Sequence, residues 1–162
     1  MTALSIVSRS GTWSASSIPC LYYCTEQGLS GHGNDEAVRE ALCGGPGFDQ
    51  GSFFYRAIQA FARVRSSRSA LRYGRFYFRP VSAAADGQTF AITSFQKGVL
   101  AFSGILNDEE VVVAANTNTA ADQAQAVDVI VDGTLNEVND QYQILHSNKP
   151  TPATPRPAPA NQ

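Results

Sequence analysis

The sequence lacks any long apolar run. A membrane-spanning helix needs about 20 mostly apolar residues in succession, and no window of the 162 residues supplies them. An integral helical membrane protein is therefore excluded. Charge is also scarce, at 16% Asp, Glu, Lys and Arg, while 43% of residues are hydrophobic. That balance argues against disorder over most of the chain. Cysteine is rare, and three cysteines cannot all pair within one chain. Cys20 and Cys24, read on one extended segment, would lie about 13 Å apart, too far for a disulfide. Cys20, Cys24, Cys43 and His32 do not have zinc-site spacing, so no metal and no cofactor is expected. The first nine residues have no basic start, and Arg9 follows the short apolar stretch Leu4–Val7. No signal peptide is expected there, and with that start taken as genuine the chain reads as cytoplasmic.

What charge there is falls unevenly. The formal net charge is −2, yet seven of the ten arginines lie between Arg56 and Arg79. Clustered arginine can mark a nucleic-acid surface. The plainer account places these arginines on the polar face of a helix and one side of the next strand, so nucleic acid is not expected as a partner.

Patterning divides the chain into a mixed piece and a β piece. Ile18–Tyr23 is a short apolar run that reads as a buried strand. Thr25–Gly33 is a glycine-containing loop, and Asp35–Leu42 a short helix with Asn34 as N-cap. The clearest helix covers about Ser52–Arg65, with Phe54, Ala57, Ile58, Phe61 and Val64 at helical spacing and Ser52 as cap. After Leu71 the period drops to two. Arg75–Arg79 puts Phe76 and Phe78 on one face, and Pro80 ends the strand or places it at an edge. Further strands are read at Thr89–Phe95, Val99–Leu106, Val111–Ala115, Val127–Val131 and Gln141–His146, with turns at Asp86-Gly87, Lys97-Gly98 and Asn107-Asp108. Val111–Ala115 is apolar on both faces and so is expected to be central. These strands predict an antiparallel sandwich. From Lys149 the chain carries five of its eight prolines, the mark of an extended tail.

The residue strings add a resemblance. Ser17-Ile-Pro-Cys-Leu-Tyr-Tyr-Cys-Thr-Glu-Gln-Gly28 is similar to the eighth barrel strand and following loop of the α-amylase family, glycoside hydrolase family 13. Phe53–Arg72, ending in Ala70-Leu71-Arg72, resembles that family's eighth barrel helix. Gly98-Val-Leu-Ala-Phe-Ser103 and Val111-Val-Val-Ala-Ala-Asn116 resemble central strands of its C-terminal β domain. The strings stand in family order and cover about Ser17 to Asn148. The chain departs from the pattern at Ser17 and Cys24, where the family usually has Gly, at Cys43, where Trp is expected, and at Gly104, where an Arg commonly follows Phe-Ser.

The resemblance implies an α+β fold: a C-terminal antiparallel β-sandwich preceded by one βα unit of a (β/α)8 barrel. The implied divisions are an unmatched segment over 1–16, the last barrel unit over 17–72, the β domain over 73–147 and a Pro-rich disordered tail over 148–162. It also implies an α-glucan-active hydrolase or transglycosylase as parent. A barrel of this kind needs about 250 residues. In the family the catalytic carboxylates follow earlier strands, so this chain by itself is expected to be inactive and holds no catalytic residue. Tyr23, Glu26 and Gln27 are the implied substrate-binding candidates, at the rim where such sites form, with Tyr22 beside them. Strand alternation would send Tyr22 and Tyr23 to opposite faces, and the plainer account makes both core residues and Glu26 a loop-ordering carboxylate. His32 reads as a solvated loop residue, Asp108-Glu109-Glu110 as an exposed hairpin tip, and Asn34-Asp35-Glu36 as a helix cap rather than a calcium site. A non-enzymatic module that binds α-glucan or docks to a partner, using exposed aromatics such as Tyr77, is the alternative. Without barrel neighbours, residues 1–50 are expected to be mobile and the isolated chain to self-associate.

Overall fold

A computed structural model describes residues 19–29, 48–82, 98–116, 127–137, 140 and 142–147. Over these residues the protein is an α+β structure with two small antiparallel sheets, and the described residues form no barrel. The expected helix Asp35–Leu42, the strand Thr89–Phe95, the turn Asp86-Gly87, His32, Cys43, residues 1–16 and the proline tail lie outside the described residues.

Helix α1 spans Phe53–Ser67. Ser52 caps it as the sequence predicts: its hydroxyl accepts a hydrogen bond from the Tyr55 amide at 3.1 Å, satisfying one of the orphan donors of the first turn. After Arg68 and Ser69, the single turn α2, Ala70–Tyr73, leads into β1, Arg75–Phe78. β2 is Val81–Ser82, β3 Val99–Leu106, β4 Glu109–Asn116 and β5 Asp128–Val129.

The larger sheet has the order β1-β3-β4. Its centre is the β3–β4 hairpin, closed by Asn107 and Asp108, with Leu106 opposite Glu109. Asn107 adopts φ 54°, the left-handed conformation that Asn tolerates better than most residues and that a tight hairpin demands. β1 lies on the other side of β3, with Phe76 opposite Gly104 and Phe78 opposite Phe102. Phe76 and Phe78 do share a face, their rings meeting edge to face at 4.9 Å.

Each face of this sheet has its own cover. On one, Ala70 and Leu71 of α2 pack on Val111, with Val64 of α1, Leu106, Val113 and Leu145 around them. On the other, Val81 of β2 packs on Val99 and Ala101, with Ala114, Val127 and Val129 adjoining. The second cover is the small β2–β5 sheet, in which Val81 faces Val129 and Ser82 faces Asp128. Successive side chains of a strand point to opposite faces, which is why Val111 and Ala114, an odd number of positions apart on β4, serve opposite layers.

That arrangement corrects the expectation for Val111–Ala115. Both faces of β4 are covered, as the apolar run requires, but among the described residues its one strand partner is β3, and β3 is the central strand. Apolar side chains on both faces report two covering layers, and they do not report lateral neighbours.

Two further strands differ from expectation. Residues 19–22 have no regular structure, so the strand expected at Ile18–Tyr23 does not form over its described part. Residues 142–147 form no strand either. They lie along the helical side, where Leu145 joins the Val111 core and the His146 ring meets Phe61 at 5.1 Å.

Candidate functional site

The rim candidates fall on a tight turn. Thr25–Gln27 is one turn of 3-10 helix. The Thr25 amide and hydroxyl both donate to the Tyr22 carbonyl, at 3.2 and 2.7 Å. The Cys24 carbonyl accepts from the amides of Gln27 and Leu29, at 3.0 and 3.3 Å. Closing the turn puts Cys24 at φ 65°, ψ 5°, a left-handed conformation. Only glycine visits this region routinely, because a Cβ there meets the following carbonyl. Cys24 is nonetheless 2% exposed, and a glycine at this position would carry no such strain. Replacing Cys24 with valine is expected to cost about 1–2 kcal/mol, since a β-branched residue suits this region worst. Cys24→Gly is expected to stay within about 1 kcal/mol of the parent, relief of strain offsetting the added chain entropy. Urea unfolding midpoints of the two variants measure this, and a valine variant as stable as the glycine one would remove the strain.

The turn is tied to α1 by its backbone and by Gln27. The Ser52 hydroxyl donates to the Glu26 carbonyl at 2.7 Å, so the residue that caps the helix also holds the turn. The Gln27 side-chain oxygen accepts from the Asp49 amide at 2.9 Å, and an Asp49 carboxylate oxygen accepts from Gly51 at 2.7 Å. Gly28 lies over Phe54. A Cβ there would stand 2.8 Å from two atoms of the Phe54 ring, and its φ is 73°, so both space and backbone require glycine.

The structure therefore brings Glu26 and Gln27 together with Asp49 and Ser52, in a clasp between turn and helix. Tyr23 and Tyr22 are not core residues: both rings are exposed, and they meet at a tilt of 53° with centroids 4.7 Å apart. They do not point to opposite faces, because the alternation that would separate them belongs to a strand and this segment is not one. Their faces offer an apolar, π-rich surface of the kind a sugar ring can stack on. Phe48 and Phe53 are exposed as well.

A second polar constellation lies on the β2–β5 side. Glu110 leaves the hairpin, and its side chain is 1% exposed. One oxygen accepts from the Arg79 guanidinium at 2.6 Å. The other accepts from the Asp132 amide at 3.0 Å and from Asn136 at 2.6 Å. Arg79 also donates from Nε to the Ser103 hydroxyl at 2.5 Å, and lies over the Tyr77 ring at 5.6 Å. Thr134, donating from hydroxyl and amide to the Asp132 carboxylate, holds that carboxyl below its ordinary 3.8, with Arg79 adding a smaller attraction. Burial, then the nearby Glu110 and Asp140 carboxylates, push the Tyr142 phenol above 10.0.

This overturns the reading of Asp108-Glu109-Glu110 as an exposed tip. Asp108 is exposed, and Glu109 makes a 3.4 Å half-exposed pair with Arg68, a kind of contact that contributes little. Glu110 is buried. Alternation carried the signal: once Asn107-Asp108 is the turn, Glu109 and Glu110 must enter opposite faces, and both faces of this sheet are covered. The same contacts account for part of the arginine cluster. Arg79 and Arg68 pair with hairpin carboxylates, and Arg65 donates to the Leu71 carbonyl.

Neither constellation holds an activated nucleophile beside a base. Among the described residues no group of three or more His, Cys, Asp and Glu is placed to hold a metal ion, and no disulfide joins Cys20, which is exposed, to Cys24, which is buried. No described helix is long and apolar enough to cross a membrane. No family model, curated protein or solved structure matches this chain.

Proposed function

We propose that this chain corresponds to the C-terminal end of an α-glucan-active glycoside hydrolase or transglycosylase of the α-amylase type, and that it is catalytically inert alone. On this reading residues 17–72 are the last strand and helix of a (β/α)8 barrel and residues 73–147 the antiparallel β-sandwich domain behind it. The observation that carries the proposal is at Cys24. The resemblance puts a glycine there, and the backbone at that position has φ 65°, the conformation that selects glycine. The capped helix in its expected place, and β3 running from Val99 to Leu106, agree with the same alignment. The exposure of Leu21, Tyr22 and Tyr23 suits a segment whose neighbours belong to another part of a barrel. Retaining glycoside hydrolysis needs two carboxyl groups about 5–5.5 Å apart across the bond, and the family's pair has no counterpart in the matched strings. The purified chain is therefore expected to release no sugar from maltooligosaccharides or starch. Reproducible turnover in independently purified samples would overturn the proposal.

Self-association of the isolated chain belongs to the proposal, because burying an exposed aromatic side chain is worth roughly 1.5–3 kcal/mol and several cluster at the start of α1. Sedimentation velocity over a concentration series is expected to show mass above the monomer, and a monomer at every concentration would count against it.

The second reading is a non-enzymatic module that binds α-glucan or docks to a partner. The observation in its favour is Tyr77, 41% exposed on β1 under the Arg79 guanidinium. Retarded migration in a starch-containing gel, lost in Tyr77→Ala, would favour it over the inert fragment, and unretarded migration would leave it without support.

A further inference from the structure

We draw no further inference here: the strongest candidate, the aromatic surface patch of Phe76, Phe78 and Phe102 at the β1 side of the larger sheet, is an apolar face, and nothing in the structure shows what covers it.

Discussion

Glu110→Ala is expected to lower the unfolding free energy by about 3–5 kcal/mol, the usual cost of removing one partner from a buried ion pair. The loss has two parts. The Arg79 guanidinium, whose side chain is 12% exposed, keeps a desolvated charge beside Ser103, the more distant Asp132 carboxylate and the Tyr77 ring, at 2.5, 3.8 and 5.6 Å. The Asp132 amide and the Asn136 side chain each lose an acceptor, and an unsatisfied buried donor costs about 1–3 kcal/mol. A paired replacement of Arg79 and Glu110 by methionine should cost less than Glu110→Ala, because it leaves no uncompensated charge. Urea unfolding of both variants measures the difference. A loss below about 1 kcal/mol for Glu110→Ala would show that water reaches the junction and that its burial is overstated.

Gly104→Arg, which would install the residue common in the α-amylase family, is expected to disrupt the packing of α2 on the sheet. A Cβ at position 104 would stand 2.6 Å from the Ala70 carbonyl oxygen. That atom belongs to the backbone and cannot swing aside. Gly74 approaches the same oxygen, with a virtual Cβ at 2.3 Å, so the first residue of α2 is gripped between two glycines. Overpacking typically costs about 1–3 kcal/mol. Even Gly104→Ala should reach the upper part of that range, and the arginine should exceed it. Thermal unfolding of the two variants, with Gly133→Ala as a control in open space, tests the point. An alanine variant as stable as the parent would mean that α2 lifts from the sheet at little cost.

Local signals in the sequence located the elements that depend on local chemistry. Ser52 caps α1 and β3 runs over Val99–Leu106, because a cap hydroxyl, a helical stripe and a turn at Asn107 act over a few residues. The helix runs two residues further than its stripe suggested, to Ser67. Elements that need a partner strand were not legible. Ile18–Tyr23 has the composition of a strand, yet no described neighbour offers it a ladder, and the left-handed Cys24 ends it in a turn. Val127–Val131 alternates as a strand should, and among the described residues Asp128 and Val129 pair with β2, with the Ile130 amide donating to the Pro80 carbonyl beside them. Gln141–His146 finds its burial against helix α1 and the Val111 core, so its apolar residues are satisfied without sheet bonding. Of the site candidates, Gln27 and Glu26 lie on the turn that Asp49 and Ser52 hold against α1, a contact more than twenty positions away in sequence. The Glu110 junction is masked in the sequence because three acids beside a turn resemble a solvated tip.

The β2–β5 ladder has an entropic consequence. Leu106 and Glu109 are separated by a two-residue turn, whereas Val81 and Val129 are nearly fifty positions apart. Loop closure costs about 0.6 kcal/mol for each doubling of length, so joining β2 to β5 costs roughly 3 kcal/mol more chain entropy than closing the hairpin. Against that stand the two described residue pairs, the Ile130 amide donating to the Pro80 carbonyl at 3.2 Å, and the packing of Val81, Val127 and Val129 on Val99 and Ala101. The bonds from Glu110 to the Asp132 amide and Asn136 add to these contacts, so a side chain on the hairpin shares with the ladder and its apolar packing in holding this stretch of chain over the second face.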